Sequence, residues 1–143
     1  MKKKILVIHG PNLNLLGKRE PDVYGRFDLV TINKNIKAIA KKLKIDVDIK
    51  KTSYEGDIVK LIGKAERKYN GIILNPAGYT HTSVAIRDSV LAVTVPVIEV
   101  HLSNIYKREE FRQKSLIAGA CLGQISGFGM ASYLLALRFF AEK

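Results

Sequence analysis

The sequence predicts an α/β fold in which helices cover both faces of a central parallel sheet. Short apolar runs alternate along the chain with segments whose apolar residues recur every three or four positions. The first run, at residues 4–9, is too apolar for a strand with one face in water, which indicates a central strand of a parallel sheet. The length of 143 residues suits one domain, residues 1–143, with a single core.

This alternation predicts five strands separated by helices. The strands are expected at residues 4–9, 47–52, 71–75, 97–101 and 122–126. Helices are expected over residues 31–44, 58–69, 83–93 and 107–115, and a last one has Met130, Tyr133, Leu134, Leu137 and Phe140 on its apolar face. Thr82 or Ser83 is expected to cap the third helix. Right-handed crossovers and the size of the chain favour a three-layer flavodoxin-like sandwich with strand order 2-1-3-4-5.

The chain is strongly basic, with a formal net charge of +11. Its lysines spread along the outward faces of the predicted helices, without interleaved aromatic residues and without a recognisable nucleic-acid-binding module. A solvated basic surface is therefore favoured over a surface that binds nucleic acid. The same positive potential would concentrate a small anionic substrate.

The N-terminus and the cysteine content predict a cytoplasmic location. The apolar stretch after the first lysines holds about five residues, fewer than the roughly 7 to 15 of a signal peptide, and no segment is long enough for a membrane span. Cys121 is the single cysteine, which excludes an internal disulfide and fits a reducing compartment. Cys121 is expected to be inert packing, and no membrane contact is expected.

Residues 10–26, GPNLNLLGKREPDVYGR, form an unusually long connection between the first strand and the first helix. Such connections usually take a few residues, so this length indicates a function. Gly17 and Gly25 would let the segment bend at both ends, and it carries the polar residues Asn12, Asn14, Lys18, Arg19, Glu20 and Tyr24. This segment, called the flap below, is predicted to be an active-site lid.

Arg19 and Tyr24 form a candidate base within the flap. A phenol is a poor base at neutral pH because its pKa lies near 10, but an adjacent guanidinium favours the phenolate. The alternatives are a solvated loop arginine and an aromatic plug, and neither explains why one polar loop carries both residues.

The other candidate residues follow the strands, where ligands of such sheets bind beyond the carboxyl ends. His9 ends the first strand and is interpreted as a structural histidine, with a catalytic role as the weaker alternative. His81 precedes a helix and either caps it or contacts substrate. Glu99 and His101 share one face of a central strand, where two ionisable groups are costly unless they pair. Because a carboxylate raises the basicity of an imidazole, His101 is the strongest candidate acid.

Neither a metal site nor a nucleotide site is predicted. The histidines lack HExxH spacing, and the carboxylates do not cluster with them. The first turn, HGPNLN, lacks both GxGxxG and a Walker lysine, and Pro11 removes one backbone N–H from it.

Three motifs of the chain occur together in one known family. They are GPNLNLLGKREPDVYG, NPAGYTHTS followed by VAIRDS, and IEVHLSNIYKREEFRQKS. In order and spacing, and in the closing GFGMASYLLAL, the chain closely resembles the type II 3-dehydroquinate dehydratases of the shikimate and quinate pathways. The resemblance covers nearly the whole chain.

The resemblance implies a cofactor-free enzyme that converts 3-dehydroquinate to 3-dehydroshikimate by anti elimination of water through an enolate. Tyr24 would be the base, with Arg19 keeping it ionised, and Asn12 would stabilise the enolate oxygen through a water. His101 would protonate the departing hydroxyl, with Glu99 orienting it.

Substrate contacts and assembly are implied in the same way. The ring hydroxyls and carboxylate would be held by Asn75, His81, Leu102, Ser103 and Arg112. Asp88 would reach the site from a neighbouring subunit of a homododecamer built as a tetramer of trimers. The chain departs from the family pattern at Tyr54 and Tyr106, where histidine is frequent, and at Ala77-Gly78, where Gly-Ala is about as frequent.

Two hypotheses from other functional classes remain open at this point. A flavodoxin-like module for FMN or a phosphorylated ligand would use Tyr24 for stacking and Arg19 as an anion clamp, although the chain lacks a Ser/Thr-rich phosphate loop. A basic RNA-associated protein is suggested by the net charge alone, and its affinity would fall steeply with salt.

Overall fold

The central sheet of the computed structural model is parallel throughout, with the order β2-β1-β3-β4-β5. The structure describes residues 2–18, 20–24 and 27–143, and at Tyr24 the backbone alone. The strands are β1 (Lys4–His9), β2 (Asp46–Lys51), β3 (Gly71–Asn75), β4 (Val97–His101) and β5 (Gly123–Ser126). The helices are α1 (Pro21–Tyr24), α2 (Leu29–Lys42), α3 (Glu55–Gly63), α4 (Val84–Ala92) and α5 (Ala131–Glu142). The predicted fold class and strand order are confirmed.

Alternate residues of the central strands face opposite helix layers. In β1, Ile5 and Val7 pack in the cluster that contains the buried faces of α2 and α5, whereas Leu6 and Ile8 pack with α3 and α4. This follows from the two-residue period of a strand. Because every residue of β3 and β4 is buried, any polar side chain on these strands must find a partner inside the protein.

Side-chain caps determine where two of the helices begin. The Asp28 carboxylate accepts a hydrogen bond from the Thr31 N–H at 2.8 Å, so α2 starts at Leu29 rather than at residue 31. The Ser83 hydroxyl accepts from the Ile86 N–H at 2.9 Å, which selects Ser83 over Thr82 as the cap of α4. No helix of the described residues combines the length and hydropathy needed to cross a membrane.

The prediction of a helix over residues 107–115 is wrong. This segment holds two 3-10 turns, Ile105–Lys107 and Glu110–Arg112, separated by extended backbone at Arg108 and Glu109. The Arg108 carbonyl, which a helix would pair with the Arg112 N–H, accepts instead from the Gln113 side chain at 3.0 Å, and the Arg112 N–H donates to the Glu109 carbonyl at 2.8 Å. Likewise α3 ends at Gly63, and Ala65 and Tyr69 reach the core from the turn that follows.

Gly10 brings the loop after β1 against the loop after β3. Its N–H donates to the Asn75 carbonyl at 2.8 Å. A Cβ atom at this position would lie 2.8 Å from the carbonyl carbon and oxygen of Pro76. Because those atoms are backbone, such a contact is relieved only when the two loops move apart.

We predict that Gly10→Ala lowers the free energy of unfolding by about 1 to 3 kcal/mol, the usual cost of overpacking. Urea denaturation measures the change. Gly56→Ala is the control, since nothing lies within 4 Å of a Cβ there. That variant should match or exceed wild-type stability because alanine favours α3. Unchanged stability in Gly10→Ala would contradict the close approach.

Candidate active site

A cavity opens at the carboxyl edge of the sheet, beside the loops that follow β1, β3 and β4. It is lined by seven of the residues predicted for the site, Asn12, Asn75, His81, His101, Leu102, Ser103 and Arg112. Glu99 is fully buried and bonded to His101, whereas Asp88 is exposed on α4 and does not line this cavity. Arg19 and the Tyr24 side chain lie outside the described residues.

The first part of the flap packs on the core. Asn12 adopts a left-handed conformation with φ of 67°, which asparagine tolerates better than most residues, and starts a 3-10 turn. The turn points Leu13 and Leu16 into the apolar cluster below, and both also line the cavity. The prediction of a lid therefore concerns only the residues beyond Leu16.

Glu99 and His101 form the buried pair that their spacing predicts. His101 Nε2 and Glu99 Oε2 are 2.8 Å apart, and His101 is 6% exposed. Their shared strand face and the intervening Val100 on the other face make this contact possible. Because Nε2 is bound to Glu99, Nδ1 is the imidazole nitrogen that can exchange a proton with a molecule in the cavity.

Two residues that sequence reasoning missed complete the surroundings of Glu99. Gln124 Nε2 donates to Oε2 at 2.6 Å, and Ser115 Oγ donates to Oε1 at 2.9 Å. The Ser115 oxygen also accepts from the N–H groups of Ile117 and Ala118, so its own hydrogen is free for the carboxylate. These donors offset the cost of burying a charge. Only strand register could have revealed Gln124, which pairs with Glu99 across β4 and β5.

Arginines form the cationic wall of the cavity. Arg112 Nε lies 2.9 Å from Glu109 Oε2, and Arg108, another lining residue, lies 3.3 Å from the Ser103 hydroxyl and 3.4 Å from Glu109. The hydrogen bond from Arg112 lowers the pKa of Glu109 to about 2. Sequence reasoning missed Arg108, although it stands four residues before Arg112 in the third motif.

His81 faces the cavity rather than capping α4. Ser83 occupies the cap, and His81 Nδ1 donates to the Lys114 carbonyl at 2.8 Å. This bond leaves Nε2 as an acceptor toward the cavity. Partial burial lowers the pKa of His81, which favours the neutral imidazole.

His9 is structural, in agreement with the favoured interpretation. It is fully buried on the α2 and α5 side of β1, with Nδ1 2.9 Å from the Tyr133 hydroxyl and Nε2 2.7 Å from Asn33 Oδ1. It does not line the cavity. Burial lowers its pKa to about 4.

Cys121 and the acidic residues offer no further chemistry at this edge. Burial raises the pKa of Cys121 to about 12, so the thiol stays protonated, as expected for inert packing. Among the described residues, no three His, Cys, Asp or Glu side chains are grouped closely enough to hold a metal ion.

We predict that His9 makes stability depend on pH in the mildly acidic range. Its pKa is about 4 when folded and 6.5 when unfolded, so between these values the unfolded chain binds the extra proton. The free energy of unfolding should therefore fall as pH decreases from 6.5 toward 4, by up to about 3 kcal/mol from this residue. Urea denaturation of wild type and His9→Gln across this range measures it. A fall equally steep in both proteins would contradict the assignment.

Comparisons with known proteins agree with the geometry. The family model described as dehydroquinase class II matches residues 3–141. A 3-dehydroquinate dehydratase of Clostridium botulinum (strain Hall) is 54% identical over 94% of this chain and 92% of its own. The crystal structure of the type II dehydroquinase from Butyrivibrio crossotus superimposes with a TM-score of 0.95 at 41% identity, covering 97% of each chain. That of the Propionibacterium acnes enzyme has a TM-score of 0.95 at 37% identity, covering 100% of this chain and 99% of that one.

The residues matched by the family model include the flap, the Glu99–His101 pair and the arginine wall. The matches favour the dehydratase hypothesis over the flavin-binding and RNA-associated ones, which rest on the fold or the charge alone. The chain therefore belongs to the class II dehydroquinases, a family of hydro-lyases.

Proposed function

We propose that this chain dehydrates 3-dehydroquinate to 3-dehydroshikimate by anti elimination through an enolate, and that His101 supplies the proton for the departing hydroxyl. The observation that carries this proposal is the buried Glu99–His101 pair opening on a cavity with a cationic wall. Hydroxide is a poor leaving group, so elimination needs an acid at this position. Glu99 holds the imidazole by Nε2 and leaves Nδ1 for the reaction.

The base of the first step is assigned to Tyr24, with Arg19 keeping the phenol ionised. This assignment is supported by their positions in the first motif and by the chemistry of the two groups. Asn12 contributes from the turn that enters the cavity, where its amide would stabilise the enolate oxygen through a water.

The substrate's hydroxyl and carboxylate groups suit the polar lining. Asn75, His81 and Ser103 would hold ring hydroxyls, together with the backbone at Leu102, and Arg112 would hold the carboxylate or an adjacent hydroxyl. We add Arg108 to this set, because it lines the same wall and is bonded to Ser103. The net charge of +11 favours the approach of an anion.

We further propose a homododecamer, a tetramer of trimers, in the cytoplasm. Asp88 supports the assembly: it is exposed, lies away from the cavity of its own chain, and occurs in the second motif. A carboxylate supplied across a subunit boundary would orient hydrogen bonds to the substrate.

The direct test is the ultraviolet absorbance of the enone product after 3-dehydroquinate is added. Wild type should produce it, and Tyr24→Phe should lose most of the turnover while ligand affinity stays within about tenfold, because the phenol acts on a proton rather than on binding. Lack of product with the wild type would overturn the proposed function. A near-normal kcat in Tyr24→Phe would remove Tyr24 as the base.

His101→Ala should impair loss of the hydroxyl more than formation of the enolate. The first step takes a proton and does not need the acid, whereas the second step does. Exchange of the hydrogen beside the ketone with solvent deuterium, compared with the rate of product formation, separates the two steps. Equal losses in both would show that His101 positions the substrate instead.

Mixed subunits test the shared site. Asp88→Ala and Tyr24→Phe proteins should each be impaired, and subunit exchange between them should restore part of the activity, because some sites then contain both intact groups. A control mixture of Tyr24→Phe with His101→Ala should regain nothing, since both changes affect the same chain's site. Full activity in a monomeric sample would contradict the shared site.

A further inference from the structure

A buried chain of side-chain hydrogen bonds runs from α2 through β1 and α5 to the cavity. Asn33 Oδ1 lies 2.7 Å from His9 Nε2, and His9 Nδ1 lies 2.9 Å from the Tyr133 hydroxyl. The Tyr133 hydroxyl accepts from Asn75 Nδ2 at 2.9 Å. Asn75 ends the chain at the cavity, and its Oδ1 accepts from the Ala77 N–H at 3.1 Å. Of these four side chains, only Asn75 has a role in the proposed reaction.

The backbone N–H of Ala77 determines the direction of every bond in this chain. A backbone N–H can only donate, so Asn75 must turn its oxygen to Ala77 and its nitrogen to Tyr133. The Tyr133 oxygen then accepts, and its own hydrogen is left for His9 Nδ1. His9 must therefore carry its proton on Nε2, facing the Asn33 oxygen.

The environment holds this arrangement in a single state. His9 and Tyr133 are both fully buried, so an unmade bond in the chain would not be replaced by water. The burial that lowers the pKa of His9 to about 4 keeps the imidazole neutral at physiological pH. A protonated imidazole would donate from both nitrogens and leave the Tyr133 hydrogen without its acceptor.

These hydrogen bonds leave Asn75 with one donor and one acceptor for a ligand. One of its two Nδ2 hydrogens goes to Tyr133 and one of its two Oδ1 lone pairs goes to Ala77. A hydroxyl group both donates and accepts, so it matches the remaining pair. If the carboxamide turned over, the donor and the acceptor would exchange places.

We propose that Asn33, His9 and Tyr133 are positioning residues that hold the Asn75 carboxamide in one orientation toward a hydroxyl of the substrate. The inference rests on the proposed role of Asn75 in binding. None of the three residues touches the substrate, and each acts through the next.

A double-mutant cycle between Tyr133 and Asn75 tests this. Tyr133→Phe keeps the ring and removes the hydroxyl, so kcat/KM should fall roughly three- to tenfold, the worth of one hydrogen bond. In an Asn75→Ala background the same change should alter kcat/KM by less than about twofold, because its target is gone. Tyr69→Phe is the matched control: it removes the 2.5 Å bond from a buried tyrosine to Asp48, away from the cavity, and should lower stability without changing kcat/KM.

The outcomes of the cycle distinguish the positioning role of Tyr133 from the binding role of Asn75. Normal kcat/KM in Tyr133→Phe, or equal losses in both backgrounds, would overturn the positioning proposal and leave the role of Asn75 intact. Normal kcat/KM in Asn75→Ala would overturn the binding role of Asn75, and the positioning proposal with it.

Asn33 provides a second test. It is only partly buried, so its replacement disturbs the packing of the core less than a change at Tyr133. Asn33→Leu removes the acceptor at His9 Nε2 and should lower kcat/KM, whereas Asn33→Asp keeps an acceptor and should restore it. Equal kinetics in the two variants would contradict a role through the tautomer of His9.

Discussion

The buried carboxylate of Glu99 is the constraint on which the active-site edge of this protein depends. A charge on an interior strand of a sheet covered on both faces costs several kcal/mol unless donors surround it. Those donors come from three separate segments: His101 on the same strand, Gln124 on β5, and Ser115 from the loop between them. Satisfying Glu99 therefore also fixes the register of β5 and the course of residues 102–122.

The two faces of the sheet contribute different functions to one cavity. Glu99 and His101, the proposed acid and its partner, lie on the α3 and α4 side. His9 and Asn75 lie on the α2 and α5 side, where Tyr133 joins them. The faces meet only at the carboxyl edge, because there the strands end and their last side chains reach a common space. Gly10 keeps that space narrow by allowing the loop after β1 to touch Pro76.

The arginines beside the cavity act differently from the net positive charge of the whole chain. The whole chain is basic, but near the cavity the arginine wall is partly neutralised by Glu109, which bonds to both Arg108 and Arg112. A substrate carboxylate would meet arginines that are already oriented by a neighbouring carboxylate. Lys residues spread over the helices would attract an anion but could not orient it in this way.

Residue order by itself predicted the fold class, the strand order and seven of the residues that line the cavity. Strands β1, β3 and β4 were predicted to the residue because they are rich in β-branched and other apolar residues and end at polar side chains. The Glu99–His101 contact was predictable too, because a spacing of two residues on a strand always gives one face. The flap was recognisable from its length and composition, and its assigned base remains a prediction, since Arg19 and the Tyr24 side chain lie outside the described residues.

Tertiary structure alone decided the contacts between segments far apart in the chain. No sequence pattern predicts the hydrogen-bond partners of Gln124, Ser115, Tyr133 or Asn33, because each partner lies on a different element that only folding brings close. The helix expected over residues 107–115 is replaced by turns whose end is held from elsewhere: the Lys114 carbonyl accepts from His81, and the Ser115 hydroxyl donates to Glu99. Local propensity is worth tenths of a kcal/mol per residue, whereas a buried hydrogen bond left unmade costs about 1 to 3 kcal/mol, so the long-range partners prevail.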